Sequence, residues 1–290
     1  MEQVRASEMI LNDDGSVYHL HLKPDHIADT IITVGDPDRV DSVSRHFDRI
    51  EFKGVKREFV THTGYIGQKR LTVLSTGIGP DNIDIVLNEL DMLANMDLEN
   101  RQVRKVHKTL TIIRLGTSGT ICSDIPVHSL IVSDGAAGLD NLLHFYHAEK
   151  TEEETAMEQA FNSWMDLPSG IVPYFFLADK ELVQAFGSGF TSGITLTAPG
   201  FYGPQGRQVH AAIRIPDLLD RAAGFRSGQT RITNIEMESA AIFGLSRALG
   251  HRAGSVNVIL ANRATGQFSV DPHRAVEQMI IQALEVITRC

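Results

Sequence analysis

The chain has 290 residues, 42% hydrophobic and 22% charged, the composition of a globular protein able to bury a sizeable core. A formal net charge of -9 excludes a surface built to coat DNA or RNA, which needs a basic face, but permits a small anion held by a few local arginines. Two cysteines, Cys122 and Cys290, cannot build a disulfide or metal framework, and with no signal peptide or membrane-spanning apolar run the expectation is a cytoplasmic protein without a membrane partner.

In chain order, Thr30 to Val34 predicts a strand, and Gly35-Asp36-Pro37-Asp38 then opens a helix with Val40, Val43 and Phe47 on one face. Asp36 is a natural N-cap there, and Pro37 suits the first helical position. Leu71 to Leu74 predicts a second strand, followed by Ser75-Thr76-Gly77-Ile78-Gly79 and a helix carrying Ile83, Val86, Leu87 and Leu90. Residues 95–108 are densely charged and read as a solvated extension. Thr109 to Ile113 predicts a third strand, ending in the loop Arg114-Leu115-Gly116-Thr117-Ser118-Gly119. Ser129 to Val132, Gly193 to Thr197 and Val256 to Leu260 are further strands, and Glu149 to Met165 an exposed helix with a partly apolar back. Ala241, Ile242, Leu245, Ala248 and Leu249 share a helical face that Gly250 can end. The closing helix bears Val276, Ile280, Ala283, Leu284 and Ile287. Alternating strands and helices imply a largely parallel sheet covered by helices, with ligands gathering beyond the carboxyl ends of the strands.

Three constellations carry chemistry. In Asn234-Ile235-Glu236-Met237-Glu238-Ser239-Ala240, two carboxylates stand where a polar loop meets an apolar helix. Charge at a helix N-terminus is one explanation, but carboxylates at the edge of an apolar run also need partners. Arg39, Arg57 and Arg114 form the second, two of them just after strands and beside glycines whose N–H groups can cradle an anion. No GxxxxGK[ST] or GxGxxG run is present, which argues against a nucleotide cofactor. Phe201-Tyr202-Gly203-Pro204-Gln205-Gly206-Arg207 is the third: Gln205 and Arg207 can read the edge of a planar heterocycle while Phe201 packs on its face. His144 and His147 lack a third ligand and read as surface histidines, and Cys122 as a small buried hydrophobe.

Taken in order, Gly35-Asp36-Pro37-Asp38-Arg39, Arg57-Glu58-Phe59, Ser75-Thr76-Gly77-Ile78-Gly79, Arg114-Leu115-Gly116-Thr117-Ser118-Gly119 and Glu236-Met237-Glu238-Ser239-Ala240 resemble the motifs of the nucleoside phosphorylase family of trimeric and hexameric enzymes. The resemblance runs from about Tyr18 to the final helix, and the loop with Gln205 and Arg207 is similar to that of the uridine phosphorylase branch. It implies an α/β fold: one three-layer α/β/α domain over residues 1–290, with a mixed, largely parallel twisted sheet and residues 1–17 as an N-terminal extension.

The resemblance further implies that phosphate is bound by Gly35, Arg39, Arg114 and Thr117, with Arg57 supplied by a neighbouring subunit. Ribose would fall to Met237 and Glu238, with His19 reaching a neighbour's 5′-hydroxyl, and uracil to Phe201, Gln205, Arg207 and Arg263. Glu58, Ile78 and Asn82 match a candidate monovalent-cation site, taken by potassium at a subunit interface, with Asn82 replacing a serine. Asn262 stands where purine-specific members carry an acidic residue, and the Gly203-Pro204 order is reversed relative to the common loop. The implied activity is phosphorolysis of uridine (deoxyuridine included) to uracil and ribose 1-phosphate, with inorganic phosphate as co-substrate and no organic cofactor or catalytic metal. A dimer or hexamer is implied by the shared site. The alternatives are a purine nucleoside phosphorylase, a hydrolytic nucleosidase and a non-catalytic nucleoside-binding protein.

Overall fold

Runs of β-branched residues covered on both faces set the centre of the molecule, as in β1 (Thr30–Val34), where every residue is buried. In the computed structural model, which describes residues 3–289 and so leaves Cys290 outside, β1 leads through Asp36 into α1 (Pro37–Ser44). The Asp36 carboxylate accepts from the Asp38 N–H at 3.0 Å, the cap expected of it. The hairpin β2 (Arg49–Lys56) and β3 (Phe59–Ile66) precedes β4 (Lys69–Ser75) and α2 (Pro80–Asn95). The charged extension carries a small two-stranded unit, β5 (Met96–Asp97) and β6 (Gln102–Val103), and is mostly exposed.

Next come β7 (Thr111–Thr120), β8 (Leu130–Gly138), α3 (Glu152–Met165), β9 (Tyr174–Leu177), α4 (Lys180–Phe186) and β10 (Thr191–Thr197). The chain ends with α5 (Leu218–Gly224), β11 (Arg226–Ser227), β12 (Thr230–Glu236), α6 (Ser239–Ala248), β13 (Arg252–Asn262), β14 (Gln267–Phe268) and α7 (Pro272–Ile287).

The strands form one mixed sheet of 12, in the order β11-β12-β10-β8-β13-β7-β1-β4-β3-β2, with β9 on β8 and β14 on β13. Parallel pairing runs through β4–β1–β7–β13 and through β8–β10–β12, and antiparallel pairs join these blocks and extend the edges. β12 also pairs back on β7 (Asn234 with Thr120, Ile235 with Gly119), so β7, β13, β8, β10 and β12 curl into a closed ring. Apolar side chains fill both faces. Ile31 and Leu74 pack with α2 and α6, and Ile32 and Val34 with α1, α4 and α7. Each fully buried aliphatic chain of this kind contributes about 1.5–3 kcal/mol. Among the described residues no helix is long and apolar enough to cross a membrane.

Four local expectations are corrected. The stretch read as a loop after Ile113 is strand: β7 continues to Thr120 because β13 pairs with it throughout and its small residues tolerate the curl. The polar run before Glu236 is also strand, β12, whose buried Asn234 accepts from Thr195 and donates to Ser118 inside the ring. Phe47 lies past the end of α1, although it is buried. Glu154 on α3 is fully buried, not solvated: it caps Thr151, accepts from the Leu177 N–H and pairs with Arg247.

Candidate active site

The carboxyl ends of β1, β4, β7, β10, β12 and β13 converge on a cavity of about 590 Å³. Its lining includes Gly35, Arg39, Arg114 and Thr117, together with Met237 and Glu238, and also Phe201, Gln205 and Arg207. Three other cavities, two of about 650 Å³ and one of about 660 Å³, also open on the surface, but none contains Arg114 or Glu238, and the choice of site rests on that chemistry.

Arg114 is the centre of the arrangement. Parallel register sets it beside Ser255 and sets Gly116 beside Asn257. The Arg114 side chain folds back across its own strand: a Cβ on Gly116 would lie 1.6 Å from Arg114 Nη1. Only glycine leaves that space. Gly116→Ala is therefore expected to dislodge the guanidinium and lower turnover about a hundredfold while the protein still folds, as circular dichroism and steady-state kinetics would show.

Arg114 is 5% exposed; its Nη1 donates to Asn257 Oδ1 at 2.6 Å, and its Nη2 donates to Glu238 Oε2 and lies 3.3 Å from Glu236 Oε2. Burial works to lower this guanidinium, but the Glu236 and Glu238 carboxylates outweigh it and hold it above its ordinary value. Glu236 is raised, chiefly by burial, against the pull of Arg114. It accepts from the Ser239 and Glu238 N–H groups and from the Thr197 and Ser239 hydroxyls. Glu238, the N-cap residue of α6, accepts from the Gly79 N–H at 2.9 Å. The paired carboxylates of the sequence thus have a cation and backbone donors as partners. Arg39, from the first turn of α1, donates to the Leu115 carbonyl at 3.3 Å, and burial followed by repulsion from Arg114 pushes it down. Two guanidiniums that repel each other favour an anion between them.

A second cationic group stands over the loop after β10. Arg207 donates to Gln205 Oε1 at 2.5 Å and to the Phe201 carbonyl at 2.7 Å, and its guanidinium lies 3.8 Å from the Phe201 ring centroid. Burial, then the charge of Arg263, lowers Arg207 to about 10. Arg263 does not line the cavity but donates to the Gln205 carbonyl at 3.1 Å. Gln205 is buried, while Phe201 is half exposed. Phe268 of β14 and the Leu260-Ala261 pair also line the cavity. Sequence reasoning missed them, and only the aromatic after the turn at Gly266 could have hinted at one.

His19 and Arg57 lie outside the cavity. His19 Nδ1 meets Glu89 at 2.7 Å, while Arg57 sits on an exposed turn at φ 54°, 5.9 Å from the Tyr18 ring. Tyr18 in turn packs edge-on against His19, so the two residues occupy one surface patch. Glu58 and Asn82 both flank Gly77, next to Ile78 on the cavity wall. Asn262 is buried: its amide donates to the Cys122 and Ile125 carbonyls and accepts from the Ala264 and Thr265 N–H groups. Cys122 is buried, as expected, and its thiol is raised chiefly by burial. Asp91, His107 and His251 bring ligand atoms within 4.8 Å of one another. The Leu110 N–H, however, points at His251 Nδ1 at 3.2 Å, which leaves the ring proton on Nε2, 3.3 Å from Asp91 Oδ1, and offers no lone pair to an ion there.

The family model for the phosphorylase superfamily matches residues 29–290. A uridine phosphorylase of Thermococcus kodakarensis is 27% identical, over 99% of this chain and 92% of that protein. A DeoD-type purine nucleoside phosphorylase of Oceanobacillus iheyensis is 26% identical, over 93% and 99%. The crystal structure of a Trypanosoma brucei nucleoside phosphorylase, described as showing uridine phosphorylase activity, has a TM-score of 0.87 and 32% identity, covering 97% of this chain and 100% of that one. With four of the five motifs gathered round one cavity and a match over most of its length, the chain belongs to the phosphorylase superfamily.

Proposed function

We propose that this protein catalyses the phosphorolysis of uridine, giving uracil and ribose 1-phosphate. The observation that carries the reading is the placing of Arg114 and Arg39 beside Glu238 in a cavity that Gln205 and Arg207 also line. Relatives named as uridine phosphorylases over most of this chain support it.

In the reaction the C1′–N1 bond breaks and its electron pair leaves with the base, while a phosphate oxygen bonds C1′ and the phosphate proton ends on uracil. Gly35, Arg39, Arg114 and Thr117 would hold phosphate as a positioned nucleophile, so much of the gain is orientation. Glu238 would bind the ribose hydroxyls and favour positive charge on the sugar, with Met237 against it. Arg207 and Arg263 have no carboxylate partner among the described residues, which suits them to negative charge on the departing base, with Gln205 reading its edge and Phe201 its face. One such donor is typically worth about 10²–10³ in rate. The bonds of Asn262 occupy its whole amide, which disfavours a purine reading that needs an acid at that position.

The chain would act as one domain, in the cytoplasm, as a dimer or hexamer in which Arg57 and His19 complete a neighbour's site. The carboxylate of Glu58 and amide oxygen of Asn82 are hard donors fit for a monovalent ion such as potassium beside Ile78.

The test is base release from a nucleoside panel with and without phosphate. Phosphate-dependent release of uracil from uridine, faster than release from inosine, is expected. Faster turnover of inosine would favour the purine reading, release without phosphate a nucleosidase, and uridine binding with no release a non-catalytic protein.

A further inference from the structure

Asn257 and Ser255 belong to none of the motifs, yet Asn257 bonds the central cation of the site and Ser255 bonds Asn257. From Arg114, a circuit of hydrogen bonds runs through them and back. Arg114 Nη1 donates to Asn257 Oδ1 at 2.6 Å, and Asn257 Nδ2 donates to Ser255 Oγ at 3.2 Å. Ser255 Oγ meets Ser239 Oγ at 2.8 Å, and Ser239 Oγ donates to Glu236 Oε2 at 3.0 Å. Glu236 Oε2 closes the circuit 3.3 Å from Arg114 Nη2. Every member is buried.

The polarity follows from the two ends. The Asn257 amide nitrogen can only donate to Ser255, and the Glu236 carboxylate can only accept from Ser239, so the Ser255 hydroxyl donates to Ser239. Each hydroxyl then gives one hydrogen bond and takes one, a satisfied network in an interior where such bonds reinforce each other. Its two carboxylates are unequal. Glu236 is anchored by Thr197, Ser239 and the Glu238 N–H, whereas the bonds to the Glu238 carboxylate come from Gly79 and Arg114.

We propose that Asn257, acting with Ser255, is a positioning residue for phosphate binding: it holds one nitrogen of Arg114 so that the guanidinium cannot close fully on Glu238. The identity of the anion rests on the phosphorolysis reading. Without the Asn257 acceptor, Arg114 would turn into a two-pronged pair with Glu238, the geometry that arginine and carboxylate favour. Phosphate would then have to displace a tighter pair. The charge-assisted hydrogen bond lost is of a size that corresponds to about a tenfold change in affinity.

The experiment titrates inorganic phosphate calorimetrically into the full chain and measures uridine phosphorolysis with each substrate varied in turn, for wild type, Asn257→Ala, Ser255→Ala and the double variant. Phosphate Kd and KM are expected to rise about tenfold in Asn257→Ala and less in Ser255→Ala, with the KM for uridine, whose ribose shares Glu238, rising less than that for phosphate. The double variant is expected to be no worse than Asn257→Ala, because both substitutions break one circuit. An unchanged phosphate Kd beside a lowered Tm would mean a merely structural role and would overturn the proposal, as would additive single effects. If Asn257→Ala does not fold, Ser255→Ala, which removes one hydroxyl, decides by the same Kd. Wild-type protein that binds phosphate but releases no uracil defeats the functional reading, while the Kd comparison still judges Asn257.

Discussion

Arg114→Ala is expected to reduce kcat/KM for phosphate about a thousandfold and to destabilise the fold by about 3–5 kcal/mol. Both effects have one origin. The guanidinium is the proposed anion ligand and also the cation between Glu236 and Glu238, which are 4% exposed and would be left without it. Arg39→Ala is the control: its guanidinium is less buried and its bond is to one carbonyl, so activity should fall with little loss of stability. The stability deficit of Arg114→Ala should also depend on pH. Burial already raises Glu236 above its ordinary value, and without Arg114 the carboxylate would bind its proton still more readily in the folded state. A group whose pKa is higher folded than unfolded favours folding as pH falls, so the deficit should shrink toward acid. Urea melts at several pH values and phosphate titrations would check this. A variant that keeps kcat/KM within about tenfold of wild type would sink the phosphate assignment.

Glu238→Ala and Arg57→Ala are each expected to abolish most turnover, by about 10²–10³-fold, and a mixture of the two to recover it. If a site takes Glu238 from one subunit and Arg57 from its neighbour, a mixed dimer has one site with both residues intact. Random mixing in equal amounts then leaves roughly a quarter of all sites competent. Arg57 lies on an exposed turn outside the cavity, near Tyr18 and His19, so its loss should not disturb the fold. Activity assayed after co-refolding reads the result. No recovery, with mixed oligomers demonstrated, would mean that sites are not shared.

Much of the fold was legible because its signals are local. The cap at Asp36, the apolar faces of α2 and α7 and the span of β1 depend on residues within a few turns of each other. The error at β7 and β12 is of another kind. Both strands are rich in polar and small residues, and they are strands because partners far along the chain take up their backbone and side-chain hydrogen bonds. No period-two apolar pattern announces that.

The site divides in the same way. By itself the sequence determined which side chains are candidates for the chemistry, because arginines close to glycines, two carboxylates at a helix start and a Gln–Arg loop need particular residue types in particular order. Tertiary structure alone decided how they are arranged: Arg114 curls over Gly116 onto Asn257, Glu236 is locked while Glu238 shares the cation, and the Asn262 amide is consumed by its own turn and by the distant Cys122 and Ile125 carbonyls. The reason is that hydrogen-bond partners more than a hundred residues apart meet only when β7 and β13 lie side by side.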